Sequence, residues 1–325
     1  MKRVVQIGAF ILGFNLIVII GMMSYSAGFN WAAESIPSPY RYGDLYFFSK
    51  LPGFRINTSN QVKLKQVKPL HMVRLTVIGD SYLDGLSNHN FRCQKLDHLD
   101  WGYLPDTIQQ IDTNNVNILI IETTERYARW RLRMRYLTAF GKKYTPPIQD
   151  EIKLNAEDNL QFQLTNFDFL LVFKEIKAQL YLNLFNRFDN RIAQPNGSNR
   201  LYLNETIDKH LNSSSYAKID NKEINEMVNG INLILGDALY QGFDAVYFSI
   251  IPNTASIYNY NGMKYNHLIE RVQNHPNLKM PFIDAFSLLL KSKNIVFHRS
   301  DSHWNSLGQQ LWLDEVNKTI VNKAR

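Results

Sequence analysis

Two short apolar runs constrain the fold most. VRLTVIG, residues 73–79, is rich in β-branched residues and ends on glycine. NVNILIIE, residues 115–122, has the same character. Each reads as a buried strand. Between them LPDTIQQI suggests a short helix entered through Pro105. Strand, helix, strand is the unit of a parallel sheet. The alternation resumes downstream. Ile224, Met227, Val228, Ile231 and Leu235 follow helical spacing after Asp220, and FDAVYFSIIP, 243–252, reads as a strand stopped by Pro252. KYNHLIERVQNH reads as a helix, MPFIDAF and NIVFH as short strands. NSLGQQLWLDEVNKTIVNK reads as a closing helix with Leu307, Leu311, Val316 and Ile320 on one face. The expectation is an α/β fold: a three-layer domain with a mainly parallel sheet, where sites lie beyond the carboxyl ends of strands.

The chain has 325 residues, 45% of them hydrophobic and 20% charged, which suits a sizeable core and excludes a disordered chain. Cys93 is the only cysteine, so neither an internal disulfide nor a multi-cysteine metal site can form. The formal charge of +7 favours acidic partners (an anionic polysaccharide, a phospholipid surface or nucleic acid) or serves solubility alone.

Lys2 and Arg3 precede an apolar run from Val4 to Met23. Twenty residues at helical rise span about 30 Å, the thickness of the hydrocarbon core. The basic pair in front orients such a helix with its N-terminus in the cytoplasm and the remainder exported. Residues 1–23 are thus read as a transmembrane anchor or uncleaved signal, with a cleaved signal peptide as the rival. Residues 24–70, with four prolines and no steady period, read as a connector, part of which packs on the domain through aromatics such as Tyr40, Tyr42 and Tyr46. Residues 71–325 form the main domain, with an insertion at about 140–220 read as a lid or substrate-shaping subdomain.

Ser81 follows the first strand within VIGDSYLDG, where a strand-end nucleophile would be held. The helix that follows would offer N–H groups to an oxyanion. Asp80 and Ser81 are equally good N-caps. Asp301 and His303 stand two apart in RSDSHWNSLG. A carboxylate at that spacing can hold imidazole Nδ1 and leave Nε2 to take a proton. Asp301 or Ser302 could instead cap the last helix, His303 could be an ordinary surface histidine, and a metal pair would lack further spaced ligands. His98, His210 and His298 show no partner pattern. The stretch ERYARWRLRMRYL, 125–137, combines Arg126, Arg129, Trp130 and Arg133 with further arginines and tyrosines. Guanidinium forks suit carboxylates and phosphates. The stretch reads as a track for an anionic glycan, as a lipid-headgroup contact, or as a solvated face with Trp130 turned inward. Nucleic acid is excluded by export.

GDSY at 79–82 and DSHWNSLG at 301–308 together resemble the first and last blocks of the SGNH (GDSL-like) hydrolase superfamily. The Asp-x-His-Trp-Asn form resembles the subgroup that O-acetylates exported polysaccharides. Its members include the alginate O-acetylation proteins, with the D-alanine transfer protein of teichoic acids more distant. IIETTERY, with Glu125 and Arg126, IIPNTASIYN and PFIDAFSLLL resemble the intervening segments in order. The interval from Asp301 to His303 is two where the family usually has three. The Gly-x-Asn-Asp block is absent, with ETTER near its place. The resemblance implies a Ser81–His303–Asp301 triad and an oxyanion hole built from the N–H groups of Ser81 and Gly102. It implies no cofactor and no metal. It implies a single-pass protein of a bacterial inner membrane, its domain facing the periplasm. That domain would take acetyl groups from a membrane-bound O-acyltransferase and pass them to a polysaccharide acceptor, anionic ones included. An SGNH esterase or deacetylase would share every catalytic part, and a glycan-binding scaffold could keep the fold without the chemistry.

Overall fold

The computed structural model describes residues 13, 40–58, 63–101, 111, 113–133, 168–187, 189–194 and 198–324. The N-terminal apolar run apart from Gly13, the helix expected at LPDTIQQI apart from Ile111, Gly102 and residues 134–167 lie outside them. No helix among the described residues is long and apolar enough to cross a membrane.

The chain enters through helix α1, Asp44–Ser49. Strand β1, Val73–Gly79, pairs in parallel with β2, Lys95–Asp100, on one side and with β3, Val116–Thr124, on the other. Helix α2, Glu125–Arg131, follows β3 directly. Helix α3, Asp168–Phe185, and a two-residue antiparallel pair, β4 (Ile192–Ala193) with β5 (Tyr202–Leu203), occupy the region read as an insertion. Helix α4, Asn221–Tyr240, then leads to β6, Ala245–Ile251, which pairs in parallel with β3. Helices α5 (Thr254–Tyr258), α6 (Leu268–Gln273), α7 (Ala285–Leu290) and α8 (Ser306–Ala324) complete the described chain.

The four-stranded sheet runs β2-β1-β3-β6 and is parallel throughout. MPFIDAF contributes one parallel bridge, Phe248 to Phe282, and NIVFH one antiparallel bridge, Phe297 to Trp304, in place of the two short strands expected. Successive residues of a strand face opposite sides, and the two cores follow that alternation. Val77, Ile118 and Ile120 join a cluster with Trp312, Leu313 and Val316 of α8. Ile78, Leu119 and Ile121 join one with Met227, Val228 and Ile231 of α4. Helices therefore cover both faces of the sheet. Sequence order reverses between β1 and β3, since the chain goes outward from β1 to β2 and returns to the far side for β3. Such a switch point opens a crevice at the strands' carboxyl ends, and Ser81 follows β1 there.

Strand β2 was not apparent in the sequence. KLDHLD is an edge strand, mostly exposed or half-buried, with no apolar run. Helix α4 starts where the sequence places it: the Asp220 side chain accepts from Glu223 N at 2.8 Å. The closing helix buries Trp312, Val316 and Ile320, whereas Leu307 is 36% exposed and lies off the buried face.

Residues 40–58 do more than connect. Leu45, Tyr46, Leu51 and Phe54 form a core with Leu171 of α3, Ile192 and Leu201. The Tyr46 hydroxyl donates to Glu175 at 2.6 Å, and Arg55 pairs with the same carboxylate at 3.5 Å. The N-terminal segment and the inserted region thus pack on each other.

Candidate active site

The chain leaves β1 through Gly79 and enters a single 3-10 turn, Ser81–Leu83. Asp80 caps that turn, accepting from Tyr82 N at 3.2 Å. The capping role therefore falls to Asp80, and Ser81 stays exposed at the first position. As a first-turn group, its N–H has no acceptor within the turn. Asp80 is itself fixed from below: its N–H donates to Glu122 at 3.0 Å and its carboxylate meets Arg131 at 3.0 Å. Burial, then the neighbouring Asp80 charge, push the Glu122 carboxyl well above the usual range.

At the other end of the chain, the α8 cap is Asn305. Its Oδ1 accepts from the N–H groups of Leu307 and Gly308, each at 3.0 Å. Asp301 and Ser302 are thereby released from capping. Gly308 is required by close approach, because a Cβ there would lie 2.4 Å from the Val296 carbonyl oxygen. The loop before the helix is anchored under the serine turn. Trp304 Nε1 donates to Tyr82 O at 2.9 Å, and the Tyr82 hydroxyl to Ser302 O at 2.6 Å.

These anchors bring the two blocks together. Ser81 Oγ lies 2.8 Å from His303 Nε2. His303 Nδ1 lies 2.6 Å from Asp301 Oδ1, which also accepts the His303 N–H at 2.8 Å. The carboxylate assigns the ring proton to Nδ1 and leaves the Nε2 lone pair to the serine hydroxyl. Burial works against the imidazolium, but the hydrogen bond and charge of Asp301 outweigh it and His303 titrates above its ordinary value. Burial opposes the Asp301 carboxylate too, yet its hydrogen bond to His303 holds it below the usual range. A relay of this kind can draw a proton from Ser81 and return it to a leaving group.

A cleft of about 480 Å³ opens over Ser81 and His303. Tyr40, Asp44, Phe48 and Thr58 of the N-terminal segment line it, facing Asp301, Trp304 and His298. His298, which had no partner pattern in the sequence, is therefore a wall residue. Asp44 was missed entirely. Its carboxylate accepts from Ser302 N at 2.8 Å and Ser302 Oγ at 2.5 Å. An aspartate opening a helix 257 positions from Asp301 carries no local signal of that contact. Asp44, Asp301 and His303 offer atoms within 4.8 Å of one another, as a metal site would. The hydrogen bonds to Ser302 and within the His303–Asp301 pair account for that closeness.

The arginine-rich stretch is placed differently from a glycan track. Helix α2 packs between the sheet and α4, so two of its guanidiniums, Arg129 and Arg131, meet carboxylates. Arg129 forks onto Glu223 at 2.7 and 2.6 Å and is 5% exposed. Arg133 pairs with Glu226 at 2.9 Å and with Glu223 at 3.3 Å. The fold gives both a structural partner where the sequence suggested a ligand. Arg126 lies 5.9 Å from the Tyr82 ring centroid and reaches Ser302 Oγ at 3.5 Å, beside the relay. Trp130 is 39% exposed.

Fold and site together define a class: a parallel α/β domain with a serine–histidine–aspartate relay at the sheet's switch point. No family model, curated protein or solved structure matches this chain.

Proposed function

We propose that the chain is an exported, membrane-anchored O-acetyltransferase that moves an acetyl group through an acyl-serine to hydroxyls of a cell-surface or exported polysaccharide. The observation that carries this reading is the continuous hydrogen-bonded relay from exposed Ser81 through His303 to Asp301 at the mouth of a cleft. Residues 222 positions apart meet in the one order that activates a hydroxyl. The SGNH resemblance of the blocks and the basic-then-apolar N-terminus support the transfer and export parts.

In this reading His303 Nε2 takes the Ser81 proton as Oγ attacks the acetyl carbonyl. The developing oxyanion is met by the Ser81 N–H, with Gly102 as second donor by resemblance. As the carbonyl re-forms, the donor's leaving group departs with the proton from His303, and acetyl-serine remains. An acceptor hydroxyl then gives its proton to His303 and attacks the acyl carbon; as the carbonyl re-forms, the bond to Ser81 Oγ breaks and His303 returns that proton to it. Asp301 holds the tautomer and stabilises the imidazolium in both halves. The proposed donor partner is a membrane-bound O-acyltransferase that brings acyl groups across the bilayer.

Ser81 is exposed to solvent, which favours one second reading: water as acceptor, giving an esterase or deacetylase. The test is to incubate the detergent-solubilised chain with a small acetyl ester, with and without oligosaccharides, beside Ser81→Ala. Acetylated sugar detected by mass spectrometry, and lost in Ser81→Ala, supports transfer. Acetate release at a rate indifferent to acceptor supports the esterase. Absence of both, with full complementation of a deletion strain by Ser81→Ala, leaves a non-catalytic glycan-binding scaffold and overturns the acyl-serine.

A further inference from the structure

The relay does not stop at Asp301. Asp301 Oδ1 is committed to His303, and its other oxygen accepts the backbone N–H of Asp44 at 3.1 Å. The Asp44 carboxylate returns to the same loop, taking Ser302 N and Ser302 Oγ. Two residues further along α1, on the other side of Leu45, Tyr46 N donates to Ser300 O at 2.9 Å. Residues 300–302, the loop that delivers His303, are thus held by consecutive contacts from Asp44 and Tyr46, at the other end of the domain's sequence. The approach is close. Gly43 has φ +96°, and a Cβ there would stand 2.2 Å from the Ser300 carbonyl oxygen. Only glycine allows this turn to seat Asp44 against the loop.

We propose that Asp44 is a positioning residue of the Ser81–His303–Asp301 site, supplied by the N-terminal segment and fixing the 300–302 loop so that Asp301 addresses His303. The proposal rests on the acyl-serine reading for its consequence in rate, and on the hydrogen bonds alone for its geometry. Asp44 is also an acidic group beside the relay, its carboxyl pushed above the usual range by burial and then by the Asp301 charge. Facing His303 are Asp301 on its own loop, the Tyr82 ring from the serine turn, Arg126 from α2 and Asp44 from α1; His298, with Arg200 beside it, lies on the Asp301 side. Asp44 favours the imidazolium and Arg126 opposes it.

The test uses the full chain in detergent, with two readouts: titration of the His303 ring by NMR with ¹⁵N-labelled histidine, and the pH profile of acetyl ester hydrolysis. Asp44→Asn keeps an acceptor for Ser302 N and removes the charge. It is expected to lower the His303 midpoint and move the acid limb of the profile to lower pH by the same amount. Asp44→Ala keeps the backbone N–H to Asp301 but loses both side-chain contacts to Ser302, and is expected to lower kcat about 100-fold with KM little changed, the scale of a misplaced catalytic group. If Asp44→Ala fails to fold, Asp44→Asn carries the test. An unmoved His303 midpoint in folded Asp44→Asn overturns the proposal, including where the rate falls evenly at all pH. A midpoint that moves while the wild-type chain hydrolyses no ester upholds the positioning role and overturns the acyl-serine reading instead.

Discussion

In the proposed acyl-serine reading, the reactivity of Ser81 turns on the proton at His303 Nε2. Because Asp301 holds the imidazolium above the ordinary histidine value of 6.5, the base form is the minority somewhat above that pH. Ester hydrolysis is therefore expected to fall off on the acid side with a midpoint above 6.5. Asp301→Asn should lower that midpoint and cut kcat by about 10⁴-fold, as loss of the orienting carboxylate does in other serine relays; a pH–rate series on both proteins checks it. The same pair affects stability. The raised His303 contribution is complete below 6.5 and is lost as pH climbs through its folded value; the depressed Asp301 contribution is complete above 3.8 and is lost as pH falls through its own. Both are therefore present together between those limits. Ser81, Asp301 and His303 were legible because each stands in a block whose residues serve one another locally. Asp44 was not, because its partners are reached only through folding. Nor could the sequence tell that Asn305 caps α8 and leaves Asp301 to the histidine.

At the scale of elements, the β3–α2 corner holds the serine turn in place. Arg131 meets Asp80 and Thr123, each at 3.0 Å, and lies 4.9 Å from the Trp101 ring centroid. Removing one partner of a buried ion pair leaves the other charge uncompensated, at a cost of about 3–5 kcal/mol. Arg131→Ala is expected to lose stability on that scale in urea unfolding, and Arg131→Lys to recover only part of it, since an ammonium lacks the planar guanidinium that lies over the Trp101 ring. Arginines in a sequence announce charge but not the carboxylates that face them, and Glu223 and Glu226 lie on α4, some 90 positions on. The buried strands β1, β3 and β6 were legible from their mostly apolar runs; β2, at the sheet edge, has no such run. Helix α8 keeps the face read for it at Leu311, Val316 and Ile320 and departs from it at Leu307. Its buried face includes Gln309 and Asn317, which donate to the backbone of Tyr82 and Asn90. Apolar spacing alone cannot count polar residues buried for their hydrogen bonds.

At the scale of the molecule, the segment read as a connector is part of the domain's third core and of the cleft wall. Its aromatics signalled packing, but not that the packing sets the histidine loop. Site geometry should then depend on that small core more than on either sheet face. Leu45 of α1 is 0% exposed and lies beside Asp44; Leu268 of α6 is 1% exposed within the core on the α4 side. Leucine-to-alanine changes at buried sites cost about 2–5 kcal/mol, so Leu45→Ala and Leu268→Ala should destabilise comparably. Their effects on the relay should differ. Leu45→Ala loosens the seat of α1, and with it the contacts of Asp44 to Asp301 and Ser302. Leu268→Ala leaves those contacts alone. Labelling of Ser81 by a fluorophosphonate, at a temperature where circular dichroism shows both variants folded, is expected to slow about tenfold or more in Leu45→Ala, given how steeply rate follows the placement of reacting groups. It should stay near the wild-type rate in Leu268→Ala. Equal slowing in the two would mean that the relay senses overall stability and not the docking of its N-terminal segment.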